Sequence, residues 1–112
     1  MGVTASDRCV KQPAESFVYT FNFTDRLDSD ATETLSAITS VTELTTSDLT
    51  IGTAAINTGS ITVDGATIAA NMAVQARISG GTAGTVYVIE CIATTSESNT
   101  LELDGELKVV DR

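Results

Sequence analysis

The sequence of 112 residues contains no histidine and no tryptophan, and it has one proline and two cysteines. Without histidine, the chain lacks the side chain that proteins use most often as general base, proton shuttle and metal ligand. Cys9 and Cys91 are too few to form a thiolate zinc site. The sequence therefore predicts a protein that is not an enzyme, with no catalytic residues, no cofactor-binding residues and no metal ligands.

Positive charge is also scarce, because six lysine and arginine residues stand against fifteen aspartate and glutamate residues, a net charge of −9. The phosphates of nucleic acids and the surfaces of anionic membranes repel a chain of this charge. No apolar run approaches the roughly 20 residues that a membrane-spanning helix needs. Residues 1–16 do not resemble a secretion signal, so a reducing compartment is expected. We expect neither nucleic acid nor membrane as a partner.

The composition favours β-structure. Aromatic residues make up 4% of the chain, so the core is expected to be mainly aliphatic. Threonine is the commonest residue, and its branched side chain suits a pleated, half-exposed surface better than a helix. At this length the chain forms one domain, which buries roughly two-thirds of the surface that the unfolded chain would expose.

Three segments are predicted to be strands, and the first and the last of them show the period-2 alternation of a strand with one buried face. The first, FVYTFNFT, places Phe17, Tyr19, Phe21 and Phe23 on one face. The last, LELDGELKVV, reads as one long strand, with a bulge expected at Gly105. Between them TVYVIECIATT is apolar on both faces, which indicates a central strand. Its two faces are Tyr87, Ile89, Cys91 and Ala93 on one side and Val86, Val88, Glu90 and Ile92 on the other.

The remaining segments are shorter. TLSAITSVTEL predicts a strand with Leu35, Ala37 and Val41 directed inward, and NMAVQARI predicts another half-buried strand. Glycines cut the region between them into two or three short strands. Asp64-Gly65 predicts a two-residue hairpin, because a type I′ turn needs positive φ at both central positions.

About seven short strands with regularly spaced turns predict an all-β fold, an immunoglobulin-like antiparallel β-sandwich, with an open barrel as the second possibility. Residues 1–16 are polar and aperiodic, which predicts an extended N-terminal arm. The sandwich domain would then comprise residues 17–112.

Four features of the sequence can be interpreted functionally, and each of them also has a purely structural interpretation. Cys91 in a buried strand is expected to be a packed thiol, although a disulfide with Cys9 stays open. The acidic loop of Asp25, Asp28, Asp30 and Glu33 is expected to be a solvated turn, with calcium binding as the alternative. The glycines of residues 80–84 precede a strand rather than a helix, so they predict a connection and not a phosphate site. Tyr87 would form either a tyrosine corner or a simple core contact.

Two stretches together resemble a family of small tailed-bacteriophage virion proteins, the phage fibre-tail adaptors. The first is KQPAESFVYTFNFTDRLDSDATETL, and the second is SGGTAGTVYVIECIATTS. The shared positions are Lys11, Pro13 and Glu15 before the aromatic strand; Asp25, Leu27 and Asp28 after it; and the turn at residues 80–85, Tyr87 and residues 93–95. The resemblance spans roughly residues 11–110, and the shared positions are turn and core residues without chemistry.

The resemblance implies an immunoglobulin-like sandwich with a structural role. The chain would be an adaptor linking tail or neck to fibres in the virion, assembled in the bacterial cytoplasm. Its partners would be other phage virion proteins, around which several copies form a ring. Two alternatives remain open: a capsid decoration or head-tail completion protein, and a carbohydrate-binding or adhesin-like module.

Overall fold

The computed structural model of the protein describes residues 10–28, 32–44, 48–63 and 65–111. In these ranges the chain forms ten strands and one 3₁₀ turn, Thr24–Arg26, so the prediction of an all-β fold is confirmed. The strands are β1 (Val10–Lys11), β2 (Phe17–Asn22), β3 (Leu35–Glu43), β4 (Leu49–Ile51), β5 (Ala55–Ile56), β6 (Ile61–Val63), β7 (Ala66–Ile68), β8 (Ala73–Gly80), β9 (Thr85–Thr95) and β10 (Thr100–Val109).

The strands form two main sheets in a sandwich-like arrangement. One, which we call the β9 sheet, has the order β1-β10-β9-β3. The other, the β8 sheet, has the order β2-β8-β4, and β5 also pairs with β8. All pairings are antiparallel except that of β1 with β10, which is parallel. The immunoglobulin type of the sandwich stays a prediction.

The core lies between the two sheets and is built by the predicted alternation. Tyr19, Phe21 and Phe23 are fully buried, as expected for one face of the aromatic strand. From the opposite sheet β9 contributes four fully buried residues and β10 three more that are buried. These seven residues are Tyr87, Ile89, Cys91, Ala93, Leu103, Leu107 and Val109. Burial of this apolar surface from both sheets is the main stabilising contribution to the sandwich.

β9 is a central strand, as predicted, with β10 on one side and β3 on the other. β9 and β10 pair without a register shift from Thr100↔Thr94 to Val109↔Thr85, so the expected bulge at Gly105 is absent and that prediction is wrong. Gly105 lies opposite Ile89 in a regular ladder. The second face of β9 is not covered by a further layer, since Val86 is 43% exposed.

The prediction for β3 is wrong at Ala37, which is exposed, whereas Leu35 is buried and Val41 half-buried. The pairing of β3 with β9 shifts register between Leu35 and Ala37 and again between Ile38 and Ser40. Each shift moves the residues after it out of the simple alternation. As a result Ile38, rather than Ala37, packs against the core.

The glycine-rich middle forms four short strands, β4 to β7, rather than two or three. β6 and β7 pair as an antiparallel hairpin, with Val63 opposite Ala66, so the predicted hairpin is confirmed. Gly65 in its turn has a φ of +77°, a conformation that glycine adopts without strain. Asp64 lies outside the described residues.

Part of the segment expected to be an arm belongs to the β9 sheet. Val10 and Lys11 pair with Lys108 and Val109 of β10, and Lys11 is fully buried. The Lys11 ammonium donates hydrogen bonds to the carbonyl oxygens of Gln12 at 2.8 Å, Pro13 at 3.0 Å and Gly80. Burial lowers the pKa of Lys11, against the opposing effect of the Glu15 charge. Lys11 thus joins the start of the chain to the end of β8.

The open edge of β10 carries side chains from the opposite side of the sandwich. The Tyr19 hydroxyl donates a hydrogen bond to the Glu106 carbonyl oxygen at 2.8 Å. The Arg26 guanidinium donates one to the Glu102 carbonyl oxygen at 2.9 Å. Both carbonyl groups belong to the strand edge that β1 leaves uncovered.

Asn57, buried at the base of the β6–β7 hairpin, holds the hairpin to the sandwich. Its side-chain nitrogen donates to the carbonyl oxygens of Gly59 at 3.0 Å and Ala69 at 2.8 Å. Its side-chain oxygen accepts from the backbone N–H groups of Met72 at 3.1 Å and Ala73 at 2.9 Å. One amide therefore satisfies four backbone groups where two chain segments meet.

We expect Asn57→Ala to lower the free energy of unfolding by about 1–3 kcal/mol, because it leaves buried backbone groups without partners. Urea denaturation followed by circular dichroism measures this. Thr58→Ala at the exposed neighbouring position is the control. A loss under about 0.5 kcal/mol, which is typical of surface substitutions, would contradict the assigned role of the amide.

Candidate interaction surface

The face of the β9 sheet that points away from the core carries both exposed apolar side chains and a cluster of acidic ones. Alternation along β9 directs Val86, Val88, Glu90 and Ile92 to this side, where they are exposed or half-buried. The register with β10 brings Glu102, Asp104, Glu106 and Lys108 beside them. We call this surface the outer face.

One end of the outer face is apolar. Val10 and Val86 flank Lys108 in one row across three strands, and they are 39% and 43% exposed. Leu44 follows β3, is 52% exposed, and donates its backbone N–H to the Val88 carbonyl oxygen at 2.8 Å. We call Val10, Leu44, Val86 and Val88 the apolar end.

The middle of the outer face is acidic. Carboxylate oxygens of Glu90, Glu102 and Asp104 all lie within 4.8 Å of one another. The pKa of Glu102 is raised, first by a side-chain hydrogen bond with Asp104 and then by the negative charges of Glu90 and Asp104. We call these three residues the acidic centre. Like charges so close repel one another, and proximity to a cation would relieve that repulsion.

Sequence reasoning did not single out the acidic centre. Glu102 and Asp104 belong to LELDGELKVV, which predicted only a long strand, and Glu90 was assigned to the second face of the central strand. The register between β9 and β10, which places Asp104 opposite Glu90, brings them together. The signal present in the sequence was an acidic residue on the second face of an otherwise apolar strand.

The acidic loop that the sequence did single out has a structural role at Glu33. This residue is 3% exposed, and one of its carboxylate oxygens accepts the Asp28 N–H at 2.9 Å. The other oxygen accepts hydrogen bonds from the Thr95 hydroxyl and from the Asn99 amide, the latter at 2.8 Å. Asp25 and Asp28 are exposed, and Asp30 lies outside the described residues. Calcium binding by this loop therefore remains only a hypothesis.

These hydrogen bonds lower the pKa of Glu33, with that from Thr95 having the largest effect, followed by those from Asp28 and Asn99. Each donor stabilises the charged carboxylate, and together they outweigh the effect of burial. Glu33 thus fastens the loop after β2 to the turn between β9 and β10.

Cys91 is a free, buried thiol of the core, which agrees with the expected packed cysteine. Burial raises its pKa to about 12, so its reactive thiolate is scarce at neutral pH. Cys9, the partner in the disulfide that the sequence left as an alternative, lies outside the described residues.

Tyr87 combines both interpretations that the sequence allowed. Its ring is fully buried, and its hydroxyl accepts a hydrogen bond from the Thr82 N–H at 2.7 Å. The hydroxyl also donates to Asp48 at 3.1 Å. The neighbouring glycines form the predicted strand connection, in which Gly80 has a φ of +83° and a Cβ there would meet the Asp48 carbonyl oxygen at 2.8 Å.

Comparison with known families identifies the chain. The family model described as podophage GP4 fiber-tail adaptor protein gp77 matches residues 11–108, which is most of the chain. The protein belongs to the podophage fibre-tail adaptor family. This confirms the resemblance to phage fibre-tail adaptors and with it the role of a phage structural adaptor. Neither the comparison with curated proteins nor that with solved structures gave a match.

The structure explains several positions through which the sequence resembles the fibre-tail adaptors. Lys11 binds three carbonyl groups, and Glu15 accepts the Gln12 N–H at 2.8 Å in the turn that follows β1. Leu27 is buried in the core. These positions hold the fold of the adaptor. In the described ranges no helix has both the length and the apolarity to cross a membrane.

We expect Glu33→Gln to lower the thermal midpoint at pH 7, because an amide replaces an acceptor that faces three donors. The folded-state pKa of Glu33 lies below its ordinary value of 4.5, so its contribution is complete above that pH. The contribution is lost as pH falls through the lowered pKa. The variant should therefore lose less stability than the wild type between pH 4.5 and pH 2.

Thermal unfolding followed by circular dichroism across this pH range measures the difference. Asp111→Asn removes the same charge at an exposed position and serves as the control. Parallel pH profiles for wild type and Glu33→Gln would contradict the role assigned to Glu33.

Proposed function

We propose that this chain is a non-enzymatic component of the podophage virion, which joins the tail or neck to the fibres in several copies arranged around the tail axis. The observation that carries this proposal is the family match over residues 11–108. A ring of identical subunits needs two different surfaces on each copy, which meet head to tail. A sandwich supplies such surfaces from its faces and loops without changing its core.

The structure gives no support to the carbohydrate-binding alternative. Sugar-binding platforms stack exposed aromatic side chains against the ligand. The chain has three phenylalanines and two tyrosines, all within the described ranges. Four of them are fully buried and Phe17 is half-buried. The observed surfaces instead favour contacts between proteins.

We further propose that the segment preceding β1 contacts a neighbouring copy in the assembled ring. Support comes from β1 itself, which brings the chain to the edge of the β9 sheet, where Val10 is 39% exposed. A segment that starts from a fixed point at a sheet edge can reach an adjacent subunit.

The location of the protein in the particle tests the proposed function. Purified virions carrying a tag after Arg112 should bind gold-labelled antibody at the tail or neck, and quantitative mass spectrometry should find few copies per particle. Labelling spread over the capsid, with copies in the hundreds, would instead support a decoration protein. No label on intact or opened particles would contradict both roles.

Deletion of residues 2–9 tests the contact between copies while leaving β1 in place. We expect the shortened chain to unfold within about 2 °C of the full chain, because the deletion removes no residue of the described core. Its incorporation should fall when it replaces the full chain in infected cells. Full incorporation of the shortened chain would contradict the contact, and Thr58→Ala is the control for expression.

A further inference from the structure

The exposed apolar residues of the protein are concentrated on the outer face. The described residues include four exposed large hydrophobic side chains: Val10, Val18, Leu44 and Val86. Three of them belong to the apolar end, and only Val18 lies on the other sheet. Single exposed apolar residues are ordinary, but several grouped on one surface are typical of protein interaction sites.

The surface beneath these side chains is regular. β9 and β10 pair over ten residues without a register shift, so their outward side chains stand in straight rows. Adjacent strands lie about 4.8 Å apart, which keeps the apolar end and the acidic centre within the span of one short segment of a partner. Such a surface can be covered by a strand or helix laid across it.

The charge of the outer face determines the chemistry of its partner. Glu90, Glu102, Asp104 and Glu106 stand there against Lys108. Each contribution to the pKa of Glu102 raises it, so within the described chain the negative charges of the acidic centre are not compensated at that carboxylate. A partner that brings lysine or arginine side chains would remove this repulsion and gain charge-assisted hydrogen bonds.

A second copy of the chain is a poor partner for this face. Each copy carries a net charge of −9 with only six lysine and arginine residues, so two acidic faces would repel each other. An anionic nucleic acid or lipid surface is disfavoured by the same charge. The remaining class of partner is a different protein with a basic surface.

We propose that the outer face binds a basic segment of another virion protein, with apolar side chains of that segment covering the apolar end and lysine or arginine side chains facing the acidic centre. This inference rests on the proposed adaptor function and names the chemistry of its partner. Contact with the apolar end supplies most of the affinity, and the acidic centre selects the partner and speeds its binding.

The experiment uses tails purified from the parent phage after disruption of the gene for this chain. Purified full-length protein is added, and its binding is measured by cosedimentation at several salt concentrations. The double variant Glu102→Lys/Asp104→Lys, which we call the face variant, should bind about tenfold more weakly at low salt. The reason is that it turns two attractive contacts into repulsive ones. Its binding should also depend less on salt than that of the wild type.

The matched control is Asp25→Lys/Glu97→Lys, which changes the net charge equally at exposed positions outside the outer face. It should bind within about twofold of the wild type, since long-range steering alone is largely screened. Val86→Ser should weaken binding without changing its salt dependence. Thermal unfolding checks that every variant is folded, and removal of repulsion at Glu102 should leave the stability of the face variant unimpaired.

The outcomes separate this inference from the proposed function. Wild-type protein that fails to bind the tails contradicts the adaptor function, and the inference with it. If the wild type binds and the face variant binds equally well, the adaptor function stands and the inference is wrong. The inference is also wrong if the control weakens binding as much as the face variant. Loss of wild-type binding with a chelator would instead assign the acidic centre to a divalent cation.

Discussion

The unshifted pairing of β9 with β10 is the constraint on which the rest of the structure depends. Side chains alternate along both strands, so one register decides which residues face the core and which face outward. It places Tyr87 opposite Leu107 on the inner side and Glu90 opposite Asp104 on the outer side. A slip of β10 by one residue would turn Glu102 and Asp104 toward the core. The burial of apolar side chains on the inner side thus also fixes the arrangement of side chains on the outer face.

Three buried polar side chains hold the segments that the hydrophobic core does not determine. Lys11 joins the start of the chain to Gly80, Glu33 joins the loop after β2 to the turn between β9 and β10, and Asn57 joins a hairpin to β8. Each satisfies several groups at once, which offsets the free-energy cost of burying it. Loops with few apolar residues acquire a defined position in this way.

The sequence predicted the features that depend on local alternation and missed those that depend on distant partners. Period-2 patterning located the aromatic strand, apolar residues on both faces indicated the central strand, and the turn signal of Asp64-Gly65 located the hairpin. The period-2 pattern failed in β3. It was wrong at Ala37, because the two shifts in β3 arise from pairing with β9. The buried roles of Lys11 and Glu33 were also hidden, since their partners lie up to 69 residues away in the chain. For the same reason the acidic centre needed the register of two strands.

The two hydrogen bonds on the open edge of β10 have a consequence for assembly. Tyr19 and Arg26 occupy the carbonyl groups of Glu106 and Glu102, which would otherwise accept a strand from another molecule. Unprotected edge strands can pair edge to edge with strands of other molecules and so promote aggregation, especially at high local concentration. By occupying these two carbonyl groups, Tyr19 and Arg26 limit the pairing of this edge with a strand of another molecule.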